Sequence, residues 1–381
     1  MTGRQGPALW SRRSAIAAGL LACCAPYMVG GARARTPVRT QYGVNVAWLF
    51  LDELRPGGDG GTRKIESLGK RGVPFIRFAA SAHFAGDWAH FDDDPKAYWA
   101  RMDRLFAAAE HSGVGLVPSV LWRVVGLAYH CGEPMQAWTD PASRTRRLAE
   151  RNVDGFVERY DSSPALLMYE FTNELNLWVD LPTVLHFWPT PDGTVPDRKP
   201  VEKDRLSSAQ LRDFSGAFAR RVRERSSTRP IGMGSSIPRN NAWNLSRGRW
   251  ETDTADQFVE QLRSVTAREF DVLSVHVYEE AYGKNASVFA TLPDLLAAVV
   301  RAAGLDGRKT FLGEFGVPRL DDRAEERRRF AAMMEAVRGA KLDYAALWNF
   351  ATKPFQADWD VSLDNDRAYQ IDALVEANKA R

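Results

Sequence analysis

Apolar segments typical of strands alternate with segments of helical periodicity along almost the whole sequence, and this alternation restricts the fold more than any other feature. Strands are predicted at residues 42–48, 73–78, 115–121, from 166 onward, 231–235, 272–278, 309–317 and 344–350. Helices are predicted at residues 62–72, 95–112, 143–160, 207–226, 255–267, 292–304, 322–340 and 369–380. Strands that alternate with helices form right-handed crossovers, so the sequence predicts an α/β protein with a parallel sheet.

Eight strand–helix units without a remainder favour a closed (β/α)8 barrel, that is, a TIM barrel. Such a barrel takes about 250 residues and more with insertions, so a chain of 381 residues fits one domain with elaborated βα loops. An open doubly wound sheet is the structural alternative. Its usual signature, a glycine-rich phosphate turn after the first strand, is poorly matched because residues 56–61 lack G-x-G-x-x-G spacing.

The first 34 residues have the composition of a secretory signal peptide. Arg12 and Arg13 precede the apolar stretch 15–22, and the small residues Ala32 and Ala34 provide a cleavage site, so a twin-arginine signal is predicted. Residues 35–381 are then the exported catalytic domain, periplasmic or extracellular. A lipid anchor at Cys23 is the less favoured alternative, because the apolar run continues to Val29.

Charge and cysteine content exclude several classes of protein. The formal net charge of +3 falls to −1 without the leader, which carries four arginines and no acidic residue. No charge excess then points to nucleic acid or to a membrane surface, and no stretch after the leader is apolar enough to span a bilayer. Cys131 is alone after residue 34, so no intramolecular disulfide is expected in the mature chain, and we expect a monomer.

Glutamates stand at the ends of two predicted strands. Glu174 follows Asn173 after the strand that starts at residue 166, and Glu314 lies between glycines on the strand 309–317. The carboxyl ends of barrel strands form the active face, so two carboxyl groups there suggest a glycosidase. Glu170, on the same side as Glu174 by alternation, is interpreted either as a structural acid inside the barrel or as a catalytic residue.

Four motifs in order resemble the clan A glycoside hydrolases, in particular the family 5 cellulases and mannanases. They are Asn173-Glu174, His276-x-Tyr278, Glu314 and Trp348 on strands four, six, seven and eight, and Arg77 fits the arginine on strand two. The sequence departs from the family in one place. Many members carry a histidine after strand three, whereas the segment 118–123 of this chain contains none. This departure favours the mannanase-like branch.

The resemblance implies a retaining β-glycoside hydrolase with two catalytic carboxyl groups about 5–5.5 Å apart. Glu174 would be the acid/base and Glu314 the nucleophile. The remaining roles are implied in the same way: Arg77 and Tyr278 hydrogen-bond Glu314, Asn173 contacts the sugar 2-hydroxyl, His276 lies near the acid/base or the next sugar, and Trp348 stacks on the sugar.

The expected substrate is a β-linked polysaccharide or oligosaccharide of the β-mannan or β-glucan type. Trp48 and Trp178 are further predicted substrate contacts, and the segment 178–204 is interpreted as a substrate-binding insert because it is too long for a plain connection. Two alternatives stay open: a non-catalytic carbohydrate-binding barrel, and a metal-dependent barrel hydrolase. The six histidines form no H-E-x-x-H or H-x-H motif, so neither a metal nor a cofactor is expected.

Overall fold

The computed structural model describes residues 39–55, 57–186, 199–225, 228–283, 288–352 and 356–380. Eight parallel strands follow one another around a closed barrel, in which β1 pairs with β8. The strands are β1 (Gln41–Asn45), β2 (Phe75–Ala79), β3 (Gly115–Ser119), β4 (Tyr169–Glu170), β5 (Ile231–Gly232), β6 (Val272–Val277), β7 (Lys309–Phe315) and β8 (Tyr344–Leu347). The predicted (β/α)8 barrel is confirmed, and the open sheet is excluded.

Twelve α-helices lie within the described residues, four more than the sequence predicted. They are α1 (Leu49–Leu54), α2 (Gly60–Arg71), α3 (Trp88–Asp93), α4 (Pro95–Ser112), α5 (Val124–His130), α6 (Arg144–Tyr160), α7 (Ser208–Arg223), α8 (Ala242–Leu245), α9 (Ala255–Val265), α10 (Leu292–Leu305), α11 (Arg323–Ala340) and α12 (Ala368–Lys379). The additional helices α1, α3, α5 and α8 are short and lie in the βα loops. They were missed because four to seven residues are too few to show a helical period.

Local sequence signals account for the ends of the long helices. Asp94 accepts a hydrogen bond from the backbone amide of Ala97 and caps α4, which Pro95 begins. Ser207 and Gln210 form a reciprocal capping box at the start of α7. These caps place the helices around the barrel at positions close to those predicted.

The interior of the barrel is filled by one layer of apolar side chains and closed above it by aromatic ones. The interior layer consists of Phe75, Val117, Met168, Val272, Phe311 and Ala346. A second small cluster joins Trp122 and Trp348 with Ala47 and Ala79, and the half-buried Trp48, Tyr278 and Trp359 pack against it. The barrel is therefore a packed core, and the aromatic cluster forms the surroundings of its carboxyl end.

The pairing of β6 with β7 positions two of the predicted site residues. Val275 pairs with Leu312, but the next pair is His276 with Glu314, so the register shifts by one residue between them. Such an irregularity re-aims the side chains that follow it. Both His276 and Glu314 therefore lie at the active face of the barrel and are buried.

Two predicted segments fall wholly or partly outside the described residues. The leader, residues 1–34, is not described, nor are residues 187–198 of the predicted insert. Short 3-10 turns at Val184–His186 and Glu202–Asp204 make up the regular part of that insert that is described. Of the described helices, none combines the length and the apolar character that crossing a membrane requires.

Candidate active site

Arg77 lies at the centre of a buried polar cluster that joins four strand ends. Its guanidinium donates to Asn45 Oδ1 at 2.9 Å, to Glu170 Oε1 at 2.8 Å, to Glu314 Oε1 at 2.9 Å and to Asn173 Oδ1 at 2.8 Å. The side chains of Arg77 and Glu170 are completely buried. The fork of guanidinium donors can hold several acceptors in fixed directions at once, so this one residue aligns groups from β1, β2, β7 and the end of β4.

Glu314 has a hydrogen-bond donor on each carboxylate oxygen. Arg77 donates to Oε1, and the Tyr278 hydroxyl donates to Oε2 at 2.6 Å. Burial and the neighbouring Glu314 charge raise the pKa of Tyr278 well above its ordinary value, so the hydroxyl keeps its proton. Two donors favour the ionised form of Glu314 and fix the direction in which the carboxylate points.

Glu174 lies at a sharp turn directly after strand β4. Its φ of 54° is in the left-handed region, which is uncommon for a residue with a side chain and is concentrated at functional sites. Its backbone amide donates to the carbonyl of Gly234 at 2.8 Å. Gly234 has a φ of +78°, and a Cβ there would lie 1.7 Å from the carbonyl oxygen of Thr172, so only glycine fits beside this turn.

His276 bridges the two glutamates. Its Nδ1 lies 2.9 Å from Glu174 Oε1 and 3.4 Å from Glu314 Oε1. Burial lowers the pKa of His276 to about 4, so the imidazole is neutral at neutral pH. Its Nε2 is buried against Gly313, where a Cβ would come within 2.8 Å of that nitrogen. A neutral ring held in this way can donate to an ionised Glu174 or accept from a protonated one.

The two carboxyl groups are close enough for the charge of one to affect the pKa of the other. One oxygen of Glu174, one of Glu314 and one nitrogen of His276 lie within 4.8 Å of one another. Burial raises the pKa of both acids, and the nearby Glu174 charge raises that of Glu314 further. Arg77 and Tyr278 donate directly to Glu314, whereas the Arg77 charge acts on Glu174 only through space, so the ionised form is favoured more at Glu314 than at Glu174.

The predicted tryptophans occupy different environments. Trp348 is 8% exposed and stacks on Trp122 with ring centroids 6.4 Å apart. Trp48, predicted at the end of strand one, instead directly precedes α1 and packs on His83 at 4.6 Å. Trp178 is half-buried against the main apolar core. Trp348 and Trp48 thus share the aromatic cluster beside Tyr278, and Trp178 does not belong to it.

The sequence did not reveal the roles of two residues that bind Arg77, Asn45 and Glu170. Asn45 was assigned no role, although it ends strand β1, is completely buried and accepts a hydrogen bond from Arg77. Glu170 was left between two roles, and its complete burial with a bond to Arg77 places it inside the barrel as a partner of that cation. The signal for Asn45 was a polar residue within an apolar strand, which needs a buried partner.

No protein-family model matches the sequence, and no curated protein matches it. Solved structures do match. The endo-1,4-β-D-mannanase from Thermotoga petrophila is 12% identical with a TM-score of 0.63, over 90% of this chain and all of that one. An endo-1,4-β-mannanase from Rhizomucor miehei is 13% identical with a TM-score of 0.62, over 90% of this chain and 96% of that one.

A third match extends the likeness to another enzyme. The endoglucanase from Pseudomonas stutzeri is 14% identical, with a TM-score of 0.53, over 89% of this chain and 97% of that one. A mannosidase from Rhizomucor miehei among the matches is named as a family 5 glycoside hydrolase. The chain has the fold of these hydrolases. The resemblance predicted from the motifs is confirmed at the level of the barrel, while identities of 11–17% leave the activity to be argued from the site.

Proposed function

We propose that the protein is a retaining β-glycoside hydrolase. The observation that carries this proposal is the position of Glu174 and Glu314, with carboxylate oxygens within 4.8 Å of each other on the active face of the barrel. Retaining enzymes separate their two carboxyl groups by about 5–5.5 Å, whereas inverting enzymes leave about 6.5–9.5 Å for a water molecule. The short separation supports double displacement.

In the first step, Glu314 attacks the anomeric carbon while the leaving oxygen departs. Arg77 and Tyr278 keep Glu314 ionised and directed before the attack. Glu174 is protonated because burial raises its pKa, and it donates that proton to the leaving oxygen. The products of this step are the released alcohol or sugar and a glycosyl ester on Glu314.

In the second step, Glu174 acts as a base. Once Glu314 is esterified, it carries no negative charge to repel an ionised Glu174, and the Arg77 charge lowers the pKa of Glu174. Ionised Glu174 takes a proton from water as the water attacks the anomeric carbon, and Glu314 leaves as a carboxylate. Since neutral His276 can donate to or accept from Glu174, it matches both protonation states of the acid/base.

We further propose a β-linked polymer or oligosaccharide of mannose or glucose as the substrate. The names of the solved structures with this barrel, mannanases and an endoglucanase, support this class. Aromatic side chains beside the acids, Trp48 and Trp348, offer ring faces suited to the C–H faces of a sugar. Residues 1–34 are proposed to direct export, consistent with an extracellular or periplasmic polymer.

A metal-dependent hydrolase is the second candidate, because Glu174, His276 and Glu314 form a group of potential ligands. The surroundings of Glu314 argue against it. A guanidinium lies 2.9 Å from one oxygen and a hydroxyl 2.6 Å from the other, so the carboxylate already has a cationic partner. A divalent cation would have to displace Arg77 or share its place against charge repulsion.

The proposal is tested by reducing-sugar release from β-mannan, glucomannan, carboxymethyl cellulose, mixed-linkage glucan and xylan. Glu314→Gln should abolish release, and Glu335→Gln, which changes an exposed glutamate on α11, should retain it. Glu174→Gln should spare aryl glycosides whose leaving group needs no proton. Product analysis by proton NMR should show a retained β-configuration, and EDTA should have no effect.

Three results would contradict the assignment. An inverted product would exclude double displacement, and loss of activity in EDTA restored by a divalent cation would favour the metal site. Binding of a glycan by folded protein without release from any of the five polymers would favour a carbohydrate-binding role on the same barrel.

A further inference from the structure

A cavity of about 500 Å³ opens beside the acid/base on one side only. Glu174, His276 and Tyr278 form its inner end, and the loops after β5 and β6 form its walls. Glu314 and Trp348 are not among the described residues that line it. Since Glu174 protonates the departing oxygen in the proposed reaction, a cavity that borders Glu174 and not the nucleophile lies on the leaving-group side.

Most of the cavity wall is apolar, and Arg239 projects a positive charge into it. The apolar lining consists of Leu177, Ile237, Pro238, Phe258, Ala281 and Val288. Arg239 is half-buried, and burial lowers the pKa of its guanidinium. Across the part of the chain that the structure describes, this guanidinium has neither an ion pair nor a hydrogen bond, which is costly for a charge partly removed from water.

The loop that carries Arg239 is held firmly against the segment that carries Glu174. The Asn176 side chain donates to the carbonyl of Ser236 at 2.9 Å and accepts from the amide of Ser236 at 3.0 Å. The carbonyl of Arg239 accepts from the amide of Ala242 at 3.1 Å as α8 begins. The backbone of Arg239 is therefore fixed relative to the segment of the acid/base before any ligand binds, which reduces the entropy lost on binding.

The charge of the cavity favours a single carboxylate over a multiply charged group. Arg239 is the one arginine or lysine among its described lining residues, and His276 is neutral because its pKa is lowered to about 4. Glu280 also lines the cavity, but its side chain is exposed to solvent. A planar guanidinium matches a carboxylate with two parallel hydrogen bonds, whereas a phosphate dianion needs more than one cation.

We propose that Arg239 selects leaving groups that carry a carboxylate, as in a uronic acid residue or another acidic substituent next to the cleaved bond. This inference rests on the proposed function, which places a mannose- or glucose-type sugar on the nucleophile side of the cleaved bond. It adds that the group on the leaving-group side is acidic. The apolar walls then contact the ring of the acidic residue while Arg239 binds its carboxylate.

The test compares matched substrates in the full protein. The 4-nitrophenyl β-mannobioside and β-cellobioside are each compared with their 3-carboxy-4-nitrophenyl and 3-sulfo-4-nitrophenyl analogues. The ratio of kcat/KM for the carboxylated and the plain substrate cancels common effects on chemistry. We expect this ratio to fall about tenfold or more in Arg239→Gln, since a charge-assisted hydrogen bond is lost, and to be largely retained in Arg239→Lys.

The matched control is Arg268→Gln, which removes the same charge from a side chain that is 94% exposed and precedes β6 at the opposite end of the barrel. It should leave the ratio unchanged. A ratio unaffected by Arg239→Gln would overturn the proposal, as would an equal fall in Arg268→Gln. An equal preference for the sulfonated substrate would overturn the assignment of a carboxylate.

A binding measurement separates failure of this inference from failure of the proposed function. In Glu314→Gln, calorimetry with the same glycosides should give tighter binding of the carboxylated form, and adding Arg239→Gln should abolish the difference. Selective binding that depends on Arg239, without turnover by the unmodified protein, would reject the hydrolase and retain the carboxylate site. Turnover with no selectivity in either assay would retain the hydrolase and reject the site.

Discussion

Two completely buried arginines of this barrel bind glutamates and yet differ in what they do. Arg77 binds Glu170 and Glu314 at the active face, whereas Arg367 binds Glu326 at 3.0 Å where the last loop meets α11. Arg367 also donates to the backbone carbonyls of Val317 and Asp358. One cation is shared between two acids, and the other is enclosed by one acid and backbone carbonyls.

The difference is visible in the charge balance of each site. Burial lowers the pKa of both guanidinium groups, but for Arg77 the charges of Glu170 and Glu314 outweigh burial and its pKa stands above the ordinary value. For Arg367, Glu326 offsets burial only in part, and the pKa stays lowered. In the proposed mechanism, the cluster around Arg77 has more acids than cations and retains a negative charge that can attack an anomeric carbon. Glu326 instead contacts two arginines, Arg367 and Arg323, and this ion-pair cluster joins segments of the fold.

The largest expected effect follows from removing the shared cation. Arg77→Met should lower kcat/KM by about a hundredfold to a thousandfold on whichever of the five polymers the unmodified protein hydrolyses, because Glu314 loses the donor that holds it ionised and aimed. It should also destabilise the fold by about 3–5 kcal/mol, since Glu170 would stay buried without its partner. Kinetics on protein shown to be folded by circular dichroism, with urea unfolding, measure both. Activity within threefold of the wild type would contradict the role.

Arg367→Met should affect stability and spare catalysis. We expect a loss of about 3 kcal/mol in the free energy of unfolding, because Glu326 loses its buried cation and, among the residues that the structure describes, keeps only the partly exposed Arg323 as an ion-pair partner. The kcat of the folded fraction should match the wild type, since Arg367 contacts none of the described site residues. A large fall in kcat at constant fold would show that the two arginines do not differ as proposed.

A smaller effect concerns pH. Activity requires protonated Glu174, whose pKa is raised by burial, so kcat/KM should fall as the pH rises through that raised pKa. The Arg77 charge lowers the same pKa, so in the residual activity of Arg77→Met this alkaline limb should move to higher pH. In Arg367→Met the limb should coincide with that of the wild type. pH–rate profiles of the three proteins check this, and a shared limb would refute the electrostatic link.

The smallest effect is expected at the surface. Arg301 and Asp256 form an ion pair at 2.6 Å with half or more of each side chain exposed. Arg301→Ala should change the free energy of unfolding by less than about 1 kcal/mol, because water and salt screen exposed pairs. Urea unfolding beside Arg367→Met gives the comparison. Equal losses of unfolding free energy in the two variants would mean that burial does not determine how much an ion pair contributes to stability.

The fold was predictable because each unit of the barrel carries its own pattern. Strands such as Lys309–Phe315 and helices such as Arg144–Tyr160 are long enough for apolar periodicity to identify them. Strand β4 has only two residues in regular pairing, and helix α8 has four, so neither has a period of its own. Such short elements are set by neighbours distant in the chain.

In the candidate site, too, residues with a local sequence signal could be predicted, whereas contacts between residues distant in the chain could not. Glu174 and Glu314 could be named as candidates because a glutamate at the end of an apolar strand stands out in the sequence. The paired contacts of Arg77 with Asn45 and Glu170, 32 and 93 residues away, leave no local pattern. Arg239 was missed for the same reason, because an arginine in a loop is ordinary until the surrounding side chains are known.

The sequence by itself determined the number and order of strands, and hence which residues stand at the carboxyl end of the barrel. Only the tertiary structure decided which of them touch: that Arg77 serves two acids, that His276 lies between Glu174 and Glu314, and that Arg239 faces the cavity beside Glu174 without a partner. The physical reason is that periodicity records which face of a strand or helix is buried, whereas hydrogen bonds and charge balance depend on distances across the closed barrel.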